Sequence, residues 1–225
     1  MKKQQGGFTL VEIAIVLVII GLLLGGVLKG QELITQAKIK NIANDFNGIS
    51  AAIYGYQDRY KSFPGDDNRA ANETGTAGRW GTNTANGDAN GQVGSDFSSA
   101  TDTEESRIFW QHLRLAGFVA GDSTSRAQPQ NALGGIIGVQ MNSGVLATPD
   151  LSGLVVCSSN LPGKVASAVD TQLDDGLTNR GSVRGYTQTG VVTPGAATNP
   201  ARSAAANTGA YLDDGATLYT LCKTL

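Results

Sequence analysis

An apolar run near the amino end constrains this chain more than any other feature. From Phe8 to Leu28 the only ionisable side chain is Glu12. At about 1.5 Å of rise per residue, a helix over this run is roughly 30 Å long, which is the thickness of the hydrocarbon core of a membrane. Lys2 and Lys3 precede the run, and basic residues favour the cytoplasmic side. The sequence therefore predicts a membrane-spanning helix whose short amino-terminal extension stays in the cytoplasm.

A secretory signal peptide and an ordinary single-pass anchor each explain only part of this pattern. A secretory signal peptide has a shorter apolar region and small residues at its cleavage site, whereas here the run is followed by Lys29-Gly30-Gln31-Glu32. An ordinary single-pass anchor explains the length and the lysines but leaves Glu12 unexplained. A carboxylate inside a membrane segment costs roughly 2.5–3.5 kcal/mol. Glu12 is therefore predicted to have a functional partner.

The segment Gly6-Gly7-Phe8-Thr9-Leu10-Val11-Glu12 resembles the processing motif of type IV prepilins and type II secretion pseudopilins. With the basic leader and the apolar run, the resemblance covers residues 1–28. It implies that a prepilin peptidase cuts between Gly7 and Phe8 and methylates the new amine of Phe8. A free α-amine has a pKa of about 8 and is largely cationic at neutral pH. Glu12 then has an opposite charge to pair with, in its own subunit or in a neighbouring one, and this pairing favours the correct register of assembly.

The resemblance implies a structural, non-enzymatic subunit. Such a subunit is inserted in the bacterial inner membrane, in contact with its lipid, and then assembles with copies of itself and other pilins into a filament in the periplasm or at the cell surface. A type IV pilus subunit, a type II secretion pseudopilin and a minor pilin are all compatible with these residues, and so is a single-pass anchored surface binding protein. A net charge of −2 and a pI of about 5.4 give no support to a nucleic-acid partner.

Helical periodicity continues beyond the membrane segment. Apolar residues recur at alternating spacings of three and four, which predicts one apolar stripe on a helix: Ile39, Ile42, Phe46, Ile49, Ile53, Tyr56 and Tyr60. Phe63-Pro64-Gly65 ends the pattern. We therefore predict one long helix from about Phe8 to Tyr60. As in pilins, its second half is expected to pack on a β-sheet.

The rest of the chain predicts an α+β fold with a pilin-like antiparallel β-sheet, Gly-rich loops and short inserted helices. A helix is predicted after a capping box at Thr101–Glu104, and another from Asn160 or Pro162 to Leu173. Strands are predicted at 135–141, 144–148, 153–157, 182–187, 210–212 and 217–223, with a hairpin turn at Asp214-Gly215. The predicted parts are a leader (1–7), a membrane and filament-core half of the helix (8–28), its amphipathic half (29–62) and a globular head (63–225).

The two cysteines, Cys157 and Cys222, are predicted to form one disulfide. An exported chain with two cysteines favours a bridge in an oxidising compartment. Cys222 lies near the carboxyl end, where a bridge restrains a terminus that otherwise frays. The alternative is a pair of unrelated buried thiols. The length of the head and this disulfide favour a pilus over a pseudopilus.

Few residues of the chain indicate a catalytic, metal-binding or cofactor-binding site. The only histidine, His112, lies among Trp110, Leu113 and Leu115, which favours a packing or hydrogen-bonding role over catalysis or metal binding. No nucleotide-binding or hydrolase motif is present. The one cofactor hypothesis is calcium, because oxygen-bearing side chains alternate before a glycine as they do in calcium loops; the candidate ligands are Asn86, Asp88, Asn90 and Asp96.

Overall fold

The computed structural model is an α+β fold. It describes residues 9–73, 77–141, 151–196 and 209–225. Within these residues the helices and strands are α1 (Leu10–Tyr60), α2 (Glu105–Leu115), β1 (Ile137–Met141), β2 (Leu154–Pro162), α3 (Gly163–Leu173), β3 (Val183–Thr187) and β4 (Leu218–Thr224). A long amino-terminal helix, an antiparallel sheet and short helices were the predicted components, and all are confirmed.

Helix α1 contributes to both compact units of the chain, Met1–Lys38 and Ile39–Leu225. It ends where the sequence predicted. Lys61 has a φ of 57°, in the left-handed region that commonly terminates helices, and its N–H donates to the carbonyl of Gln57 at 2.8 Å. The helix therefore ends before Pro64, which could not continue it.

The second half of α1 forms the centre of the larger core. The predicted stripe is buried from Ile39 to Tyr56, while Tyr60 is half-buried at the edge of the core. The stripe packs with residues of all four strands and with α2 and α3, including Trp110, Val139, Val156, Val169, Val183 and Leu221. Fully burying one such side chain contributes about 1.5–3 kcal/mol. This packing explains why an amphipathic helix forms here, as the sequence predicted.

The four strands form an antiparallel sheet in the order β1-β2-β4-β3. Strand β2 is buried along almost its whole length because both faces of the sheet are covered. Val156 belongs to the core beneath α1, while Val155 and Cys157 belong to a second cluster on the opposite face, with Tyr186 and Val192.

The strand predictions differ from the structure near 210–215, and β2 extends to Pro162, beyond its predicted end at 157. The predicted strand at 210–212 is wrong, because β2 and β3 already occupy both edges of β4. The N–H of Leu212 instead donates to the hydroxyl of Tyr219 at 2.8 Å. Asp214 and Gly215 form a turn that leads into β4, not a hairpin, and the Asp214 carboxylate accepts from the N–H of Thr217 at 2.7 Å. The predicted strand at 144–148 lies outside the described residues.

Both predicted short helices are present, but the predicted cap of the first is wrong. Glu104 is the N-cap of α2 and makes no side-chain cap hydrogen bond. The carboxyl end of α2 is a Schellman motif. Gly117 has a φ of 79° and donates to Arg114, and Phe118 donates to Leu113, which satisfies carbonyls that the helix leaves unpaired. Helix α3 begins at Gly163, because β2 extends to Pro162.

Candidate functional site

The amino end of α1 is closed by a reciprocal interaction between Thr9 and Glu12. One Glu12 carboxylate oxygen accepts from both the N–H and the hydroxyl of Thr9, each at 2.8 Å. The N–H of Glu12 donates to the Thr9 hydroxyl oxygen at 3.3 Å. This is a capping box, which satisfies N–H groups that have no partner inside a helix. This capping box was not predicted, although Thr9-Leu10-Val11-Glu12 has the required spacing.

The capping box leaves the Glu12 carboxylate on the exposed surface of α1. Among the described residues, its hydrogen-bond donors are the neutral N–H and hydroxyl of Thr9, which do not compensate its charge. A carboxylate in this state stabilises the positive amino end of the helix dipole. It also retains lone pairs for a cationic partner.

The surface of α1 around Glu12 is apolar and exposed. Leu10, Val11, Leu17 and Leu22 are more than 60% exposed. The helix contains an 18-residue window with a mean hydropathy of 2.8, none of it buried within this chain. By length and composition it is long and apolar enough to cross a membrane. An exposed apolar surface of this length requires lipid or other apolar helices around it.

Gly7 and Phe8, the predicted processing site and N-methylation site, lie outside the described residues. Their place in the chain is fixed by sequence alone: Phe8 directly precedes Thr9, and Glu12 is four residues beyond Phe8. Cleavage and methylation at this bond stay predictions.

Comparison with known families bears directly on this segment. Residues 2–28 match the family described as the prokaryotic N-terminal methylation motif. The chain carries the hallmark motif of type IV pilins and pseudopilins. Comparison with curated proteins and comparison with solved structures each found no match. The motif points to a structural protein of the pilin-like class, and it implies processing by a prepilin peptidase and assembly with other pilins. The long apolar helix suits an inner-membrane anchor for a prepilin.

The head of this pilin-like chain contains the predicted disulfide between Cys157 and Cys222. The two cysteines are directly opposite each other on β2 and β4, and both side chains are fully buried. The bridge ties the last strand to the centre of the sheet across a sequence separation of 65 residues. It therefore restrains the carboxyl-terminal strand, as the sequence predicted.

His112 has the hydrogen-bonding and packing role that the sequence predicted. Its Nδ1 accepts from the N–H of Gly65 at 3.0 Å, so Nε2 carries the proton and donates to the carbonyl of Ala85 at 2.9 Å. Its ring is parallel to that of Tyr56, with 6.2 Å between centroids. Burial lowers the pKa of His112 to about 4; the Ala85 carbonyl opposes this shift, and Arg79 adds to it.

An ionic and aromatic network surrounds His112 and holds the loop after α1 on the helix. Tyr56 donates its hydroxyl to Asp67 at 2.7 Å, and Asp67 also forms an ion pair with Arg79. The Arg79 guanidinium lies 4.6 Å from the centre of the Tyr60 ring and 5.3 Å from that of Trp80. Cation–π contacts of this kind stabilise by about 0.5–1 kcal/mol at exposed sites.

The four predicted calcium ligands do not all meet. Asn86 is bonded to the backbone of Ala71, accepting at 2.7 Å and donating at 3.2 Å. Asp96 accepts from the N–H and the hydroxyl of Ser98 at 2.8 and 2.7 Å. Asp88 and Asn90 are joined by a hydrogen bond, in which the side-chain amide of Asn90 donates to Asp88 at 2.8 Å. Calcium binding by this set stays a prediction.

Asp88 instead lies beside two other carboxylates, Asp66 and Glu105, and oxygens of the three groups lie within 4.8 Å of one another. Both oxygens of Asp66 accept backbone N–H groups, from Asn90 and Gly91 at 2.9 Å each. Both oxygens of Glu105 accept backbone N–H groups as well, at 3.0 and 2.7 Å. These bonds order the loop before α2, and they explain how the buried Asp66 is accommodated.

Proposed function

We propose that this chain is a structural, non-enzymatic subunit of a type IV pilus-like filament. The prepilin is inserted in the inner membrane, cleaved between Gly7 and Phe8, and methylated at the amine of Phe8. The apolar helices then bundle into the filament core, and the heads face outward at the cell surface.

One observation carries the proposal: a single carboxylate, Glu12, on an otherwise apolar and exposed helix inside the methylation motif. A charge in an apolar filament core is costly unless it is paired. Processing would create a cation at Phe8, close to Glu12 in the sequence. In the described structure Glu12 is held only by neutral donors of Thr9, so its charge remains for that amine, in the same subunit or a neighbouring one.

Intact mass and amino-terminal sequencing of sheared surface filaments test cleavage, methylation and assembly together. We expect a chain that begins at a methylated Phe8. A Gly7→Val variant is the matched control, because a β-branched side chain at the scissile bond hinders cleavage. That variant should keep residues 1–7 and stay in the membrane fraction. Filaments built from uncleaved chains would contradict the proposal.

A type II secretion pseudopilin is the second candidate, favoured by the same motif, and a minor pilin is the third. The disulfide in the head supports the pilus subunit, because an exposed surface filament benefits from a restrained carboxyl-terminal strand. The filament fraction separates these candidates. A major pilus subunit is abundant in sheared surface filaments, a minor pilin is present there at low stoichiometry, and a pseudopilin is processed but absent from them. A single-pass anchored surface binding protein would form no filament at all.

A further inference from the structure

The half-buried carboxylate of Asp45, on the second half of α1, has no partner in its own chain. Within the part of the chain that the structure describes, it accepts no hydrogen bond and forms no ion pair. Burial raises the pKa of the Asp45 carboxyl, and no neighbouring charge of the described residues opposes this effect. A partly buried charge without a partner is costly. We therefore expect Asp45 to pair with a cation from outside its own chain.

Asp45 lies in an open cleft between α1 and the loop that precedes β1. The cleft has a volume of about 320 Å³ and is lined by six residues: Asn41, Asn44, Asp45, Gln130, Asn131 and Ala132. The buried side chain of Asn131 fixes the loop. It donates to the carbonyl of Ser159 at 2.7 Å and accepts from the N–H of Leu133 at 2.9 Å. Because Ser159 belongs to β2, the wall of the cleft opposite α1 is held in place by the sheet.

The cleft presents hydrogen-bond acceptors that its own chain does not use. Asn41, Asn44 and Gln130 are exposed, and their side-chain amides form no hydrogen bond with the described residues. The residues that line the cleft include no lysine or arginine. An ammonium group has three N–H donors and no acceptor, so it can donate to Asp45 and to amide oxygens at the same time. The cleft therefore fits the end of a lysine side chain.

Lys40 of the same helix is a cation without a partner. It is exposed, and it forms no ion pair or hydrogen bond with the residues that the structure describes. Other charged groups of α1 are already paired along the chain, Lys29 with Glu32 and Asp58 with Lys61. Lys40 is therefore available to a carboxylate of another molecule.

Lys40 and Asp45 are on different sides of α1. They are five residues apart, so they are separated by about 140° around the helix and by about 7.5 Å along its axis. The two side chains of one copy therefore face different neighbours. Lys38, seven residues before Asp45, is only about 20° from it around the helix. Lys38 therefore lies on the side of the cleft and not on the side of Lys40.

We propose that the cleft around Asp45 binds the Lys40 side chain of a second copy of this chain. The inference rests on the proposed function, because it requires chains that assemble side by side. Chains inserted in one membrane with the same orientation are parallel, so this pairing shifts each neighbour by about 7.5 Å along the helix axis. Each copy keeps one group free on its other side. A head-to-tail contact of this kind continues into an open filament.

The test is crosslinking of sheared filaments with a water-soluble carbodiimide. This reagent joins a carboxylate directly to an amine in contact with it, forming an amide bond while the carbodiimide takes up the water that is released. We expect a ladder of covalent oligomers on a denaturing gel, because every contact between copies can be joined. Mass spectrometry of the digested dimer band should identify an amide between Asp45 and Lys40.

Variants of the two residues test the pairing itself. Asp45→Asn and Lys40→Gln each remove one charge and should lower the yield of filaments about 10-fold or more. The double variant Lys40→Asp, Asp45→Lys should recover filaments, whereas each reversal alone brings like charges together and should not. Asp58→Asn is the matched control, because it changes an exposed acid of the same helix that pairs with Lys61 of its own chain. It should leave the yield within about two-fold.

Filaments of methylated chains that yield no amide between Asp45 and Lys40 would overturn this inference and leave the proposed function intact. Absence of any filament from the unmodified chain would overturn both. An amide from Asp45 to a different lysine, or a normal yield of filaments from Asp45→Asn, would also contradict the pairing. Circular dichroism of each variant in detergent micelles verifies folding. Lys40→Gln, at an exposed position, decides the question if Asp45→Asn does not fold.

Discussion

One carboxylate oxygen of Glu12 accepts both the N–H and the hydroxyl of Thr9, each at 2.8 Å. The same carboxylate thus caps the helix and carries the charge that we assign to filament assembly. These two roles make different demands on the side chain. Capping needs an acceptor at this position, whereas pairing with an amine needs a negative charge.

The two roles can be separated with one variant for each residue. Glu12→Gln keeps an acceptor oxygen but removes the charge, so we expect membrane insertion to be unchanged and filaments to be lost. Thr9→Val keeps the shape of the side chain but removes the hydroxyl, so the helix end should lose about 1 kcal/mol while filaments still form. The measurement is the amount of the chain in sheared filaments relative to the membrane fraction. Normal assembly of Glu12→Gln would show that charge pairing is not required.

The free energy of unfolding should depend on pH through the protonation of His112. Its pKa is about 4 in the folded chain and about 6.5 in an unfolded one. Between these values the unfolded chain binds more protons, so the stability contributed by neutral His112 is present above pH 6.5 and is lost as the pH falls towards 4. From pH 7 to pH 4.5 the loss is about 2 kcal/mol.

Urea denaturation of the full chain in micelles at these two pH values measures the effect. His112→Gln keeps hydrogen-bonding groups but has no proton to gain in this range. The variant should therefore lose less stability than the unmodified chain over the same pH interval. An identical pH dependence of the two proteins would show that His112 does not control the acid response.

The disulfide should be a major contribution to the stability of the head. Cys157 and Cys222 are 65 residues apart, and closing a loop of this length contributes on the order of 4 kcal/mol in the chain-entropy model. We expect the double variant Cys157→Ala, Cys222→Ala to lose about this amount. Urea denaturation should show the same loss when the unmodified chain is fully reduced. A midpoint that is insensitive to both changes would contradict a stabilising role.

Packing of the second half of α1 on the sheet can be measured with one pair of isoleucines. Ile53 is 0% exposed and Ile34 is 59% exposed, so the same substitution can be made at a buried and an exposed position of one helix. Ile53→Ala should lower the free energy of unfolding by about 2–5 kcal/mol. Ile34→Ala should change it by less than about 0.5 kcal/mol. Similar losses at the two positions would contradict the assignment of the buried face.

Elements that depend on local patterns were predicted well. The period of the apolar stripe placed the buried face of α1, and Phe63-Pro64-Gly65 placed its end near Tyr60. Both short helices were predicted, because each has an amphipathic segment with a terminating residue. The disulfide was predicted because the chain contains two cysteines and has the motif of an exported protein.

Features that depend on distant neighbours were not predicted. The segment 210–212 has strand-like residues and precedes a good turn, yet β4 is already paired on both edges. Thr101 and Glu104 have the spacing of a capping box, yet Glu104 makes no side-chain cap hydrogen bond. Likewise, alternation of oxygen-bearing side chains does not decide which of them meet. Asn86 is bonded to Ala71, 15 residues away along the chain.

The amino-acid sequence by itself determined the apolar segment that is long enough to cross a membrane, the motif around Phe8 and Glu12, and the amphipathic half of α1. These features are local, because hydrophobic length, periodicity and a cleavage motif are properties of consecutive residues. Only the tertiary structure decided the strand order, the burial of both faces of β2, and the position of His112 between the N–H of Gly65 and the carbonyl of Ala85. Their physical cause is packing between distant segments, because the partners of a buried group come from parts of the chain that lie far apart in the sequence.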